Sequence, residues 1–154
     1  MTRAIDTSTV AIRTGSSYPE QFRDEVQSRS KRVLGDLFRL KNYGVNLVQL
    51  DPGAWSAQRH WHTMEDEFVY VVSGELTLVT DDGEQLMTPG MVVGFPAGNA
   101  DGHHLINQSA ALATYLEIGD RRAEDECHYP DIDLFLKSDG SGGHVFTRKN
   151  GERY

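Results

Sequence analysis

From Gly44 onward, apolar and polar residues alternate in short runs divided by turn residues. Val45, Leu47 and Gln49 share one parity and Asn46, Val48 and Leu50 the other, until Asp51-Pro52-Gly53 breaks the run. Phe68-Val69-Tyr70-Val71-Val72 is β-branched or aromatic at every position, which predicts a strand buried on both faces. Ser73-Gly74 turns the chain, and 75–80 alternates cleanly. Asp81-Asp82-Gly83 then reads as a hairpin turn before Glu84 to Met87. Thr88-Pro89-Gly90 and Pro96-Ala97-Gly98 bracket another extended run, and 103–107 and 111–118 complete the series. Tyr129 to Leu136 predicts one more alternating strand, and His144 to Thr147 a last short one after the turn at Gly140 to Gly143.

Short strands at such spacing, with no amphipathic helical stretch between them, predict an all-β antiparallel sandwich or barrel rather than a parallel α/β fold. The first forty residues are polar and weakly periodic. They predict irregular structure or edge strands, with a short helical turn opening at Tyr18-Pro19-Glu20. The expected division is an N-terminal extension over 1–43, a barrel over 44–120, and C-terminal strands and tail of the same domain over 121–154.

Composition narrows the partners. The chain has 154 residues, enough for one core, and a formal net charge of −8. Its densest basic stretch, Arg29, Lys31 and Arg32, stands near Asp24, Glu25 and Asp36. A face able to displace phosphate counterions is absent, so nucleic acid is not an expected partner. The lone Cys127 rules out an intrachain disulfide. The longest apolar run, 68–72, is far too short to span a membrane, and the opening Met-Thr-Arg-Ala-Ile-Asp lacks the apolar stretch of a signal peptide. No membrane association and a cytoplasmic location are the expectations.

Four of the six histidines form two pairs, His60/His62 and His103/His104. Residues two apart in a strand face the same way, so His60 and His62 present two imidazoles to one side, with Ser56 and Gln58 sharing their parity. Residues 63–66 can reverse the chain, bringing Glu67 back at the head of an antiparallel neighbour, inward-facing with Val69 and Val71. His103, after the turn at Pro96 to Gly98, can add a third imidazole. Such a mixed N/O set suits one divalent ion, Zn, Fe, Mn, Ni or Cu, and leaves coordination positions for water or a chelating substrate.

The segment Gly53 to Gly74, with His60-Trp-His62, four residues to Glu67 and six more to Gly74, resembles the first motif of the cupin family. Gly90-Met-Val-Val-Gly-Phe-Pro96-Ala-Gly98, ending in His103 to Asn107, is similar to the second. The resemblance implies a double-stranded β-helix, an antiparallel jelly-roll barrel, with His60, His62, Glu67 and His103 as metal ligands. Two spacings depart from the pattern: Gly53 stands one residue further from His60, and four residues rather than two separate Gly98 from His103. His103 keeps the three-residue gap to Asn107 and is preferred over His104, whose opposite parity would need a bulge to enter the site.

Other residues have plainer readings. Glu65 reads as a turn residue able to replace Glu67 if the turn tightens, and Arg59 and Trp61 as outward packing residues. His128 and His144 read as isolated surface imidazoles, Glu124-Asp125-Glu126 as a solvated loop, and Cys127 as a thiol whose acidic setting disfavours a nucleophile. The family resemblance spans isomerases, lyases and dioxygenases. With no evident acid or base among the inward residues, metal-bound hydroxide or Glu67 would have to move protons. A barrel that only binds a small oxygen-rich metabolite is the alternative. The doubly apolar strand and exposed early segments predict a homodimer.

Overall fold

Alternation becomes strand along most of the chain in the computed structural model, which describes residues 3–154. Its strands are β1 (Arg13–Thr14), β2 (Arg29–Val33), β3 (Tyr43–Leu50), β4 (Trp61–His62), β5 (Glu67–Ser73), β6 (Leu76–Thr80) and β7 (Gly83–Met87). They continue as β8 (Val92–Phe95), β9 (His104–Ile106), β10 (Ala113–Asp120), β11 (Cys127–Tyr129), β12 (Leu134–Ser138) and β13 (His144–Thr147). A single helical turn, α1 (Leu34–Leu37), and short 3-10 turns at Thr7–Thr9, Glu20–Phe22 and Asp24–Val26 accompany them. Pro19, with its fixed φ, immediately precedes the second of these turns.

Three antiparallel sheets build the jelly-roll barrel. The largest has the order β1-β2-β3-β10-β5-β8, the second β13-β12-β11-β4 and the third β7-β6-β9. The inner face carries Val48 and Leu50 of β3, Val69 and Val71 of β5, Leu76 and Leu78 of β6, Leu105 of β9 and Tyr115 of β10, all buried in one cluster. Each buried aliphatic side chain contributes about 2 kcal/mol on leaving water. A one-residue slip of β5 would therefore forfeit Val69 and Val71 together, which sets its register. A second cluster joins Tyr18 and Val26 of the N-terminal segment to Cys127, Tyr129 and Leu134 near the C-terminus. Both ends of the chain are thus tied to one side of the barrel.

Three expectations are corrected. β5 is not buried on both faces: Phe68, Tyr70 and Val72 lie 39–43% exposed on its outer side, because among the described residues no further layer covers that face of the large sheet. The stretch 129–136 is not one strand. Its Pro130 to Asp133 form a turn, so β11 and β12 pair as a hairpin with Cys127 opposite Leu136; proline supplies no N–H for a ladder. β4 and β5 are not neighbours in a sheet either. β4 pairs with β11, whereas β5 lies between β10 and β8.

The turn joining β5 to β6 depends on Gly74, at φ +75°. A Cβ there would stand 2.6 Å from the Leu112 carbonyl oxygen and 2.7 Å from Ala113 Cα. Backbone, unlike a flexible side-chain tip, cannot swing aside. Gly74→Ala should therefore destabilise the protein by about 2 kcal/mol or more. Urea unfolding of the purified variant measures this, and a midpoint equal to wild type would remove the close approach as a constraint.

Candidate metal centre

Each of the four residues singled out by spacing comes from a different local setting. His60 lies just before β4 and exchanges backbone hydrogen bonds with His103, at 3.1 and 2.8 Å. His62 is in β4, directly opposite Cys127 of β11. Glu67 opens β5 between Gly119 of β10 and Phe95 of β8. Phe95 stacks on the His103 ring, with centroids 3.5 Å apart and planes 2° from parallel, which fixes the plane of that imidazole.

The four side chains converge. Glu67 Oε2 lies 2.8 Å from His103 Nε2, 3.6 Å from His60 Nε2 and 3.7 Å from His62 Nε2. Ligand atoms bonded to one ion stand about 3 Å apart; donor atoms of His60, Glu67 and His103 all lie within 4.8 Å of one another, and His62 Nε2 approaches the same carboxylate oxygen. The other ring nitrogens are held from behind. His60 Nδ1 meets the Gln58 carbonyl at 2.8 Å, His62 Nδ1 meets Asp125 Oδ2 at 2.6 Å and His103 Nδ1 meets the Asp101 carbonyl at 3.4 Å. Each acceptor favours a proton on Nδ1 and turns Nε2 toward the centre, as outer partners of metal-binding histidines do. His104 points elsewhere: its Nδ1 meets the Ala57 carbonyl at 3.0 Å and its ring faces Trp55.

Charge follows the same geometry. Burial opposes ionisation of Glu67, but its hydrogen bonds to His103 and His60 and the field of the imidazoles outweigh it, holding its carboxyl well below the usual range. Burial likewise opposes protonation of His62, yet Asp125, Cys127 and Glu67 raise its pKa to about 11. His60, with Cys127 and Glu67 against the same penalty, is raised to about 9. His103 moves the other way, lowered by burial that Glu67 only partly offsets.

Several neighbours were not legible along the chain. Asp125 is no solvated loop residue: it is 4% exposed, and its Oδ1 also accepts the Met64 N–H at 2.8 Å. Cys127 is buried, and its sulfur and nitrogens of His60 and His62 lie within 4.8 Å of one another. Glu65 accepts the Arg122 N–H at 2.6 Å and so pins the loop that carries Asp125. Arg59 does face outward, holding Asp131 in a two-pronged pair at 2.7 Å. His128 is not isolated but stacks on Trp61, centroids 4.2 Å apart. The one signal available for Asp125 was a carboxylate in a loop preceding a strand, which is too common to act on.

Two cavities meet at the centre. One, of about 110 Å³, is lined by His62, Glu65, Glu67, Phe95 and His103 among others. The other, of about 190 Å³, runs into the barrel past His60, Glu67 and His103 to Tyr115, Glu117 and Arg29. Glu117 is therefore an inward carboxylate that the search for a base along the sequence overlooked. Its Oε1 accepts a 2.9 Å hydrogen bond from Asn46 Nδ2.

A barrel of antiparallel strands with three imidazoles and a carboxylate gathered inside it is the architecture of a cupin. A cupin-domain model matches residues 46–119. Over 99% of its length the chain is 42% identical to a sugar phosphate isomerase of the cupin superfamily from Silicibacter pomeroyi, covering 96% of that protein with a TM-score of 0.93. It is 32% identical to a provisionally named sugar phosphate isomerase from Acidithiobacillus ferrooxidans, covering 82% of this chain and 80% of that one, TM-score 0.73. A polyketide cyclase from Streptomyces resistomycificus, 16% identical over 78% of this chain and 80% of its own with a TM-score of 0.64, shares the fold. No curated protein matches the sequence. The chain belongs to the cupin superfamily. Among the described residues, no helix is long and apolar enough to cross a membrane.

The His62–Asp125 pair can be tested in chelator-treated protein. A histidine raised from about 6.5 when unfolded to about 11 when folded contributes stability that is complete below the unfolded value. That contribution is lost as pH rises through the folded one. Asp125, whose pKa is lowered because its bonds to His62 and the Met64 N–H outweigh burial, limits the effect only in acid. Asp125→Asn should cost about 2 kcal/mol near neutrality. Urea unfolding should show the difference from wild type narrowing toward alkaline pH; a difference independent of pH would rule out a charged pair.

Proposed function

We propose that the chain binds one divalent metal ion through His60, His62, Glu67 and His103 and isomerises a small oxygen-rich metabolite of the sugar phosphate class. The observation that carries the metal reading is the aim of three Nε2 atoms at one carboxylate oxygen, each with its Nδ1 held on an acceptor. The choice of reaction rests on the 42% identity to a sugar phosphate isomerase along nearly the whole of both chains. Zn, Fe, Mn, Ni and Cu all suit an N/O set of this kind.

Bound there, the ion would supply Lewis acidity to a carbonyl or hydroxyl oxygen of the substrate. Isomerising a sugar by way of an enediol also needs a base to carry a proton between adjacent carbons. Glu117 fits that role: it lines the inner cavity with His60, Glu67 and His103, and Asn46 holds one oxygen while the other is left to take the proton. Tyr115, wholly buried beside it, has its hydroxyl pushed well above the usual phenol range by burial and stays a neutral donor. The inner walls, Val69, Phe95 and Leu105, keep water from the reacting carbons.

Elemental analysis of protein purified without an affinity tag should find near-stoichiometric metal that vanishes in His60→Ala/His62→Ala. Glu117→Gln should retain the metal yet lose turnover of a pentose or hexose phosphate by about 10²-fold or more. Wild-type protein that takes up no added ion would overturn the metal reading. Full activity in Glu117→Gln would remove it as the base. Retained metal with no turnover of any sugar phosphate would favour a barrel that binds its metabolite without converting it.

The outer face of β5 and β8 supports a homodimer. Phe68, Tyr70, Val72 and Val92 stand 39–54% exposed on adjacent strands. A contiguous apolar patch at the β8 edge of the large sheet can pair with its own copy across a two-fold axis. Light scattering should give a dimer mass for wild type and a monomer for Tyr70→Asp; a monomeric wild type would exclude this interface.

A further inference from the structure

The basic stretch that stands out along the sequence acquires a definite place in the fold. Arg29 and Lys31 lie two residues apart in β2 and so share a face. Arg13 of β1 is paired directly with Lys31. Like charges placed opposite one another across a strand pair are destabilising, so this pairing does not serve the sheet. A groove of about 380 Å³ is lined by Arg13, Thr14, Gly15, Ser16, Arg29 and Lys31, three cations and no carboxylate.

The acids nearby in sequence are engaged elsewhere. Asp24 accepts from Gln27 and Glu25 from Gln58, while Asp36 pairs with Arg121 at 2.6 Å. Arg32, of opposite parity, bonds Gln49 at 3.3 Å. Among the described residues, Arg13, Arg29 and Lys31 make no ion pair with protein. In a chain of net charge −8, a groove with three unneutralised cations attracts a compact anion.

Arg29 connects this groove to the metal centre. It lines the inner cavity as well as the outer groove. One of its Nη atoms donates to the Ser56 carbonyl, which fixes the guanidinium between the two spaces. The inner cavity also holds the Tyr115 hydroxyl, which is buried and has no hydrogen-bond partner among the described residues. The neighbouring Ser56 Oγ accepts the Leu105 N–H at 2.9 Å.

We infer that Arg13, Arg29 and Lys31 form a phosphoryl-binding site that holds the phosphate end of the substrate while its oxygen-bearing end reaches His60, Glu67 and His103 through the inner cavity. A phosphate monoester, with two charges and three terminal oxygens, matches three cations lining one groove better than a carboxylate does. The metal-centred reading enters only at the far end of the substrate; the phosphate site stands on the groove alone.

Calorimetric titration of chelator-treated protein with inorganic phosphate tests the site. Wild type should bind phosphate, and Arg13→Gln/Lys31→Gln, changes in exposed or half-buried strand residues checked by circular dichroism, should weaken it about tenfold or more. His60→Ala/His62→Ala should leave it unchanged, and acetate at equal concentration should not compete. Undetectable phosphate binding in wild type, equal affinity in Arg13→Gln/Lys31→Gln, or equal competition by acetate would overturn the site. Ribose 5-phosphate should bind metal-loaded wild type about tenfold more tightly than inorganic phosphate does, a gain lost in His60→Ala/His62→Ala. Equal affinities would assign the groove to free phosphate and overturn the link to the substrate. Metal uptake without phosphate binding defeats the groove and leaves the metal reading standing; phosphate binding without metal uptake does the reverse.

Discussion

A carboxylate withdrawn from water stays ionised only if the protein replaces the lost hydration, and Glu67 sets that condition for the rest of the barrel. Its oxygen has three imidazoles around it. Those rings in turn must be oriented, so each is anchored behind by a carbonyl or by Asp125. Asp125 is buried only because Met64 and Thr63 also donate to it. Each layer of polar groups is tolerable because the next one satisfies it, and the outermost layer is backbone and the Thr63 hydroxyl in the loops flanking β4 and β9.

The sheets themselves are held by ordinary apolar burial, and their topology decides which segments reach the centre. β5 carries Glu67 on the inward side with Val69 and Val71, so the register that fills the core also delivers the carboxylate. The two chain ends pack together through Tyr18, Val26, Tyr129 and Leu134. That packing brings β11, with Cys127 and the loop holding Asp125, against β4 and His62. It also seats β2 beside the inner cavity, which Arg29 lines together with Tyr18. The polar centre of the barrel borders two cavities, one flanked by Glu65 and the other by Arg29 and Glu117.

The fold was legible because it is written in local signals. Turn residues between short alternating runs mark strands without any knowledge of their partners, and β3, β5 through β10 and β13 fall where those runs fall. The hairpin of β11 and β12 was misread because Tyr129 to Leu136 keeps its alternation through a turn; the proline was the better guide. β5 was misjudged for a different reason. Apolar residues on both faces imply two buried sides, but burial depends on what lies opposite, and the outer side of β5 is left partly exposed by the described residues.

His60, His62, Glu67 and His103 could be named from spacing because strand parity and turn length act over a few residues, and the same short-range rules separated His103 from His104. Asp125, Glu117 and the juxtaposition of Arg13 with Lys31 could not be named this way. Each acquires its meaning from a residue far away in the chain: His62 for Asp125, Asn46 and the inner cavity for Glu117, and the pairing of β1 with β2 for the cations. Periodicity records which face a side chain takes, and so the sequence by itself determined the barrel and the inward set of three imidazoles and a carboxylate. Which faces meet across sheets is settled by packing between distant segments, and only the tertiary structure decided the partners that orient those side chains and the charges that surround them.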